Sequence, residues 1–380
     1  MLTLSVLTNA GLASGQENAR ADLVRKELDG RYSAMAAAGR PGFAMLVKHD
    51  GNVLFEQGYG VRDLREKQTI DARTNFRLAS CSKQFTAMAI MLLVHDGKLR
   101  YDEPLTEIFP EFPAYGKSIS VRNLLNHTSG LPDYEDLMNA AEKEKGPVWS
   151  PEHQIRDSEV LQLLEKESRG KFMPGSKWEY SNSGYVILGL IVAKRSGKSF
   201  GGFLHERIFA PLQMNHTLVF EKNRNEVADR AYGHSKRDGD FAETDQSSTS
   251  ATQGDGGIYS NLEDLSRWDD ALSKHTLLSE KEFAAAIAPA NLPAGAEQKL
   301  AEDAPESLRG KASGYGFGWF LNLQNPDRLM WHYGDTRGFK TAILRYLDTN
   351  LTVIVLCNRT DLDAGALALQ AAQSALPLAH

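Results

Sequence analysis

Ser80 and Lys83 stand three residues apart in Ser80-Cys81-Ser82-Lys83, at the head of a helical pattern. Side chains at that spacing share one helix face, so a hydroxyl and an amine would meet there. A helix start suits developing negative charge, because the dipole favours it and free backbone N–H groups can hold an oxyanion. Lysine can act as a base there only if burial lowers its pKa. The plainer alternative makes Ser80 an N-cap and Lys83 a solvated charge. A second Ser-x-x-Lys match, Ser168-Arg169-Gly170-Lys171, contains a glycine and runs into Met173-Pro174-Gly175. No helix is expected beneath that one.

Two further groups could complete such a site. In Tyr180-Ser181-Asn182, a tyrosine beside a lysine could shuttle a proton between nucleophile and leaving group, and Asn182 could hold the lysine and a substrate amide. The same triplet recurs at Tyr259-Ser260-Asn261, where Ser260 and Glu263 read as a capping box for a helix from Leu262. In His332-Tyr333-Gly334, His332 could place a titratable charge by a substrate, and Gly334 could let a substrate backbone approach. A packed histidine is the alternative. Gly197-Lys198-Ser199-Phe200-Gly201 matches a nucleophile elbow, but a helix precedes it where that motif needs a strand. Gly197 therefore reads as a C-cap and Ser199 as the next N-cap. No metal-ligand spacing or phosphate-binding glycine loop is present, and Gly254-Asp255-Gly256-Gly257 reads as a plain loop.

Elements at both chain ends must position these groups. Phe43 to Lys48 and Val53 to Tyr59 read as strands around the turn Asp50-Gly51. Tyr315 to Leu323, Leu329 to Tyr333, Phe339 to Tyr346 and Leu351 to Leu356 read as four more, before an Ala-rich helix from about Asp363. Between them, Lys83–His95, Asp157–Lys166, Gly184–Arg195, Phe203–Ile208 and Leu262–Leu272 read as helices. In the first, Phe85, Met88, Ala89 and Leu92 form a core-facing stripe. The expectation is an α/β (α+β) fold. An α/β domain is built from residues 17–76 and 290–380, with a mainly helical region over 77–289 inserted.

With 43 basic and 49 acidic residues interleaved along the chain, no basic stripe is offered to nucleic acid. The longest apolar runs fall short of a membrane span. Residues 1–16 read as part of a signal peptide lacking its basic region, or as a disordered tail. The first reading implies a periplasmic or secreted protein and the second leaves the cytoplasm open. The two cysteines, Cys81 and Cys357, exclude a disulfide-rich scaffold.

In this order and spacing, Ser80-x-x-Lys83, Tyr180-x-Asn182 and His332-x-Gly334 together resemble the penicillin-recognising serine hydrolases of the class C β-lactamase type. That group includes DD-carboxypeptidases, D-aminopeptidases and serine esterases. Phe76 to Ala79, Leu124 to Leu131, and Gly256 to Ser260 before Asp264-Leu265 agree with it. The resemblance implies an antiparallel sheet flanked by helices beside a helical region, the β-lactamase/transpeptidase-like fold, with the site between them. It implies that Ser80 becomes acylated and that Lys83 and Tyr180 manage protons, with the acylation base left open. It further implies that Asn182 orients Lys83, that the N–H groups of Ser80 and Asp335 form an oxyanion hole, and that no cofactor takes part. Substrates would be small esters, peptides or β-lactams. The third motif departs from Lys-Thr-Gly, which puts efficient β-lactam hydrolysis in doubt. Arg337 is a candidate for the missing positive charge, and Tyr333 is expected to narrow the cleft. A weak β-lactamase or a slowly deacylating penicillin-binding-like receptor is the alternative to an esterase or D-amino-acid peptidase.

Overall fold

The computed structural model describes residues 22–35, 39–296, 304–323 and 328–376, so the reading of residues 1–16 lies outside the described residues. Apolar strands from both chain ends form one seven-stranded antiparallel sheet. β1 (Phe43–His49) and β2 (Asn52–Tyr59) form a hairpin through Asp50 and Gly51, both at positive φ, as a two-residue turn of this handedness requires. Seven residues of β1 then pair with β12 (Leu351–Cys357), from Phe43 opposite Cys357 to His49 opposite Leu351. The order is β2-β1-β12-β11-β10-β9-β8, with β8 Gly314–Tyr315, β9 Phe320–Asn322, β10 Leu329–Thr336 and β11 Phe339–Tyr346. Tyr315 to Leu323, expected as one strand, is two short ones. Gly318 turns the chain at φ 79°, where an added Cβ would sit 2.8 Å from the Gln84 Cα.

Every residue of β12 is buried, because both sheet faces are covered. One face carries Phe43, Met45, Trp331, Tyr333 and Val355 against a helical segment over 22–32 and the C-terminal helix. The other carries Ala44, Leu46, Met330, Ile343 and Leu356 against the helical region. Its centre is α1 (Lys83–His95), which is buried from Lys83 to Leu93 on all sides. The expected apolar stripe is thus a core-helix surface packed all round. Around it lie α2 (Tyr134–Lys145), α3 (Asp157–Glu165), α4 (Asn182–Ser196) and α5 (Leu262–Ser273); α6 (Ala364–Ala375) is the C-terminal helix.

The region expected to be helical also holds short strands. β3 (Phe76–Arg77), β7 (Ile258–Ser260) and β4 (Leu218–Val219) make a small sheet, and β5 (His234–Arg237) pairs with β6 (Asp240–Glu243). Ser260 does not cap α5. It lies in β7 with its hydroxyl 2.7 Å from that of Thr217, and Asn261 caps α5 by accepting from the Asp264 N–H at 2.9 Å. Gly197 ends α4 at φ 70°, and Ser199 caps the following turn by accepting from the Gly202 N–H.

Candidate active site

β3 runs into a 3₁₀ turn, Ala79–Ser82, that feeds directly into α1. Ala79 enters it at φ 47°, a left-handed conformation that alanine rarely adopts. Ser80 follows, partly exposed, and caps neither the turn nor the helix. The N-cap alternative therefore fails. Lys83 opens α1 with no exposed surface. Its Nζ lies 3.1 Å from Ser80 Oγ, 2.9 Å from Asn182 Oδ1 and 3.0 Å from the Asp255 carbonyl oxygen. The ring centroids of Tyr180 and Tyr185 lie 4.9 and 5.5 Å from the same nitrogen. Burial pushes the Lys83 ammonium down to about 8, against the opposing pull of the Asp255 and Asp133 carboxylates.

Tyr180 precedes the Ser181 cap of α4, whose hydroxyl accepts from the Gly184 N–H. Its ring stacks on Phe320 at an interplanar angle of 5° and lies 4.4 Å from the His127 ring. Burial raises its hydroxyl well above the ordinary phenol value, with Ser80 as a hydrogen-bond partner that partly offsets this. The phenol stays protonated at neutral pH. Asn182 opens α4, and its N–H donates to Asp133 Oδ2 at 3.1 Å. Ser80 and Lys83 thus meet Tyr180 and Asn182, about a hundred residues further along the chain, in one cluster.

The third motif behaves differently. His332 is fully buried; its Nδ1 lies 2.6 Å from the Tyr333 carbonyl oxygen and its Nε2 3.1 Å from the Tyr315 hydroxyl. The carbonyl can only accept, so Nδ1 carries the proton and Nε2 accepts from Tyr315. Burial first, and then the Lys83 charge, lower His332 to about 3. It is a neutral ring behind Tyr180, 6.3 Å between centroids, and the expectation of a titratable charge beside substrate is corrected. Gly334 serves a close approach, but within the chain: a Cβ there would lie 2.2 Å from both the Leu78 carbonyl oxygen and Thr341 Oγ1. Tyr333 is buried beside Phe320 and Trp331, with its phenol near enough to Tyr180 to add to the rise of that hydroxyl. Asp335 is exposed and ion-paired with Lys340, and Arg337 is exposed in the β10–β11 turn. β9 pairs with β10 only as far as Trp331, and among the described residues no strand pairs with that edge beyond it.

The sequence reading passes over Asp255, Asp133, Tyr134 and His127. Asp255 lies in the loop read as plain. Its neighbour Gly254 is forced, because a Cβ there would meet the Tyr185 carbonyl oxygen at 2.2 Å. An acid flanked by glycines in so tight a loop is the available signal. His127, at φ 59°, accepts from the Ser181 N–H through Nδ1 and so fixes the approach to Tyr180. Cys81 and Cys357 are both free and buried. Among the described residues no group of side chains could hold a metal ion, and no helix is long and apolar enough to cross a membrane.

A family model described as Beta-lactamase matches residues 28–376. Penicillin-binding protein 4* of Bacillus subtilis (strain 168) is 31% identical over 350 residues, covering 89% of this chain and 72% of that protein. The D-amino acid amidase of Ochrobactrum anthropi SV3 superposes with a TM-score of 0.73 at 25% identity, over 92% of this chain and 98% of that one. An octameric penicillin-binding protein homologue from Pyrococcus abyssi shares the fold, with a TM-score of 0.74 at 24% identity over 93% and 77%. A match across nearly the whole chain, on the architecture that gathers a serine, a lysine and a tyrosine here, places the protein among the serine hydrolases of the β-lactamase family.

Proposed function

We propose that the protein hydrolyses a small ester or amide through an acyl-Ser80 intermediate, with amides and peptides of D-amino acids as the leading substrate class. The observation that carries this reading is the Lys83 amine, fully buried and 3.1 Å from the Ser80 hydroxyl. A fraction of it is neutral at pH 7, because burial brings its pKa to about 8. Neutral Lys83 takes the Ser80 proton as Oγ bonds to the substrate carbonyl carbon. The carbonyl oxygen becomes an oxyanion, held by the N–H groups of Ser80 and of Asp335 on the open edge of β10. The bond to the leaving amine or alkoxide then breaks, and the protonated Tyr180 phenol passes it a proton that Lys83 restores. Water repeats the sequence on the acyl-enzyme, releasing the acid and returning the hydroxyl to Ser80. Burial favours the neutral phenol of Tyr180 and the neutral amine of Lys83, so Lys83 is assigned the role of acylation base.

The amide preference draws on the full-length likeness to the D-amino acid amidase. With His332 buried and neutral, no lysine stands where a β-lactam carboxylate would be held, which argues against efficient β-lactam turnover. Rates on D-amino-acid amides, a D-alanyl-D-alanine peptide, nitrophenyl esters and nitrocefin, measured for wild type and Ser80→Ala, test the reading. The expected result is turnover of amides and esters, little or none of nitrocefin, and loss of all of it in Ser80→Ala. Activity that survives Ser80→Ala refutes the acyl-serine; a nitrocefin rate above all others refutes the substrate class.

A further inference from the structure

Lys83 can act on Ser80 only while its amine is aimed at the hydroxyl, and its other two protein oxygen partners are Asn182 Oδ1 and the Asp255 carbonyl. Each of these is held in turn by α2. At its N-cap, Asp133 accepts from the Glu135 N–H through Oδ1 at 3.0 Å and from the Asn182 N–H through Oδ2 at 3.1 Å. Next in the chain, Tyr134 is buried and donates to Asp255 Oδ2 at 3.2 Å. The other carboxylate oxygen of Asp255 is buried without a hydrogen-bond partner, so among the described residues the Tyr134 hydroxyl is the group that anchors this side chain. Two adjacent residues of one helix end therefore secure the two arms that cradle the amine.

We propose that Asp133 and Tyr134 are positioning residues for acyl transfer, Asp133 securing the Asn182 arm and Tyr134 the Asp255 arm that together aim Lys83 at Ser80. The proposal rests on the acyl-serine reading and deepens it. Neither residue needs to touch substrate. Loss of either anchor lets a partner of Lys83 drift. The amine then spends less time within reach of the hydroxyl, a misplacement that is costly in rate.

A pH profile separates this role from general support of the fold. The titratable groups around Lys83 are few. Asp255, Asp133 and Glu135 favour its ammonium, while His127 and His332 are kept neutral by burial. Cys81, Tyr180 and Tyr185 are held protonated by burial. Losing the Asp255 carboxylate, or displacing its carbonyl, removes something that stabilises the ammonium. The pH at which Lys83 becomes neutral then falls. A variant that merely loosened the fold would lower the active fraction and leave that pH unchanged.

The experiment uses the full chain and a fluorophosphonate probe, with the labelling rate at Ser80 followed from pH 5 to 10 and the adduct located by mass spectrometry. Wild type should label at Ser80, and Ser80→Ala should not. Tyr134→Phe and Asp133→Asn should each label about tenfold more slowly on the alkaline plateau, with the acidic limb moved to lower pH. Asp255→Asn keeps an acceptor for Tyr134 and loses the carboxylate charge, so its limb shift reports charge alone, and Asp133→Asn carries the test through its plateau rate if Tyr134→Phe does not fold. Plateau rates within twofold of wild type overturn the positioning role, wherever the limb lies, while leaving the acyl-serine standing. Absence of a Ser80 adduct in the wild type overturns both.

Discussion

At the residue scale, the chemistry turns on one amine whose proton affinity is set by competing surroundings. Desolvation disfavours the Lys83 ammonium, and the nearby carboxylates restore part of what is lost, leaving it near 8. On the proposal that the neutral form is the base, kcat/KM should rise with pH and level off above about pH 8. At pH 6 it should lie about a hundredfold below the plateau, since the neutral fraction falls tenfold per pH unit. Lys83→Arg tests the assignment: a guanidinium stays protonated, so activity should fall about 10³-fold and show no such limb. A rate that is flat from pH 6 to 9 in the wild type would remove Lys83 from the base role. This much was half legible in sequence. The spacing of Ser80 and Lys83 announces that the two meet, but it is burial that lowers the lysine's pKa, and burial comes from α4 and the loop at Asp255 closing over it. His332 shows the opposite failure: its type announces a titratable group, and burial among surrounding rings, with the Lys83 charge second, keeps it neutral.

At the element scale, the site is made by approaches that side chains would block. β10 crosses the turn carrying Ser80 at Gly334, and its neighbour β11 sends Thr341 Oγ1 to donate to the Leu78 carbonyl at 2.9 Å. Gly334→Ala would drive a methyl into that same carbonyl and into Thr341 Oγ1. The turn or the strand must then move, at a stability cost of roughly 1–3 kcal/mol. Ser80 would be displaced from the open edge of β10 at Asp335. The expected outcome is a folded protein, by circular dichroism, with Ser80 labelling slowed at least a hundredfold; a near-normal labelling rate would show that this packing does not place Ser80. Elements with a strong local signal were readable in advance. β11 spans the expected residues, and so does α1. The small sheet of β3, β4 and β7 was not readable, because strands of two or three residues carry too little alternation to be seen. The same limit concealed the break between β8 and β9, where the reason for the turn, a backbone approach to Gln84, lies in another part of the chain.

At the scale of the whole molecule, the sheet built from both chain ends and the helical region between them share one apolar cluster. One apolar cluster contains Ala44, Leu46, Ile343 and Leu356 of the sheet together with Phe85, Leu92, Ile187 and Phe209 of the helical region. α1 is enclosed by both, and it carries Lys83 at its first residue. Trp268 of α5 donates to Gln84 at 2.5 Å, one residue from Lys83, while Gly318 between β8 and β9 approaches the same Gln84 backbone. Separating the regions would expose α1 on the face it turns to each, and at about 25 cal/mol per Å² of apolar surface no partly open form is favoured. The protein should therefore unfold as one unit, although its length is more than one core usually organises. In urea, tryptophan fluorescence reports Trp178, Trp319 and Trp331 beside the sheet and Trp268 beside α1, while fluorophosphonate labelling reports Ser80. The two curves should share one midpoint and one slope. If labelling is lost at lower urea than fluorescence, the helical region opens independently, and the assembly of Ser80, Lys83 and Tyr180 depends on docking two units that fold separately.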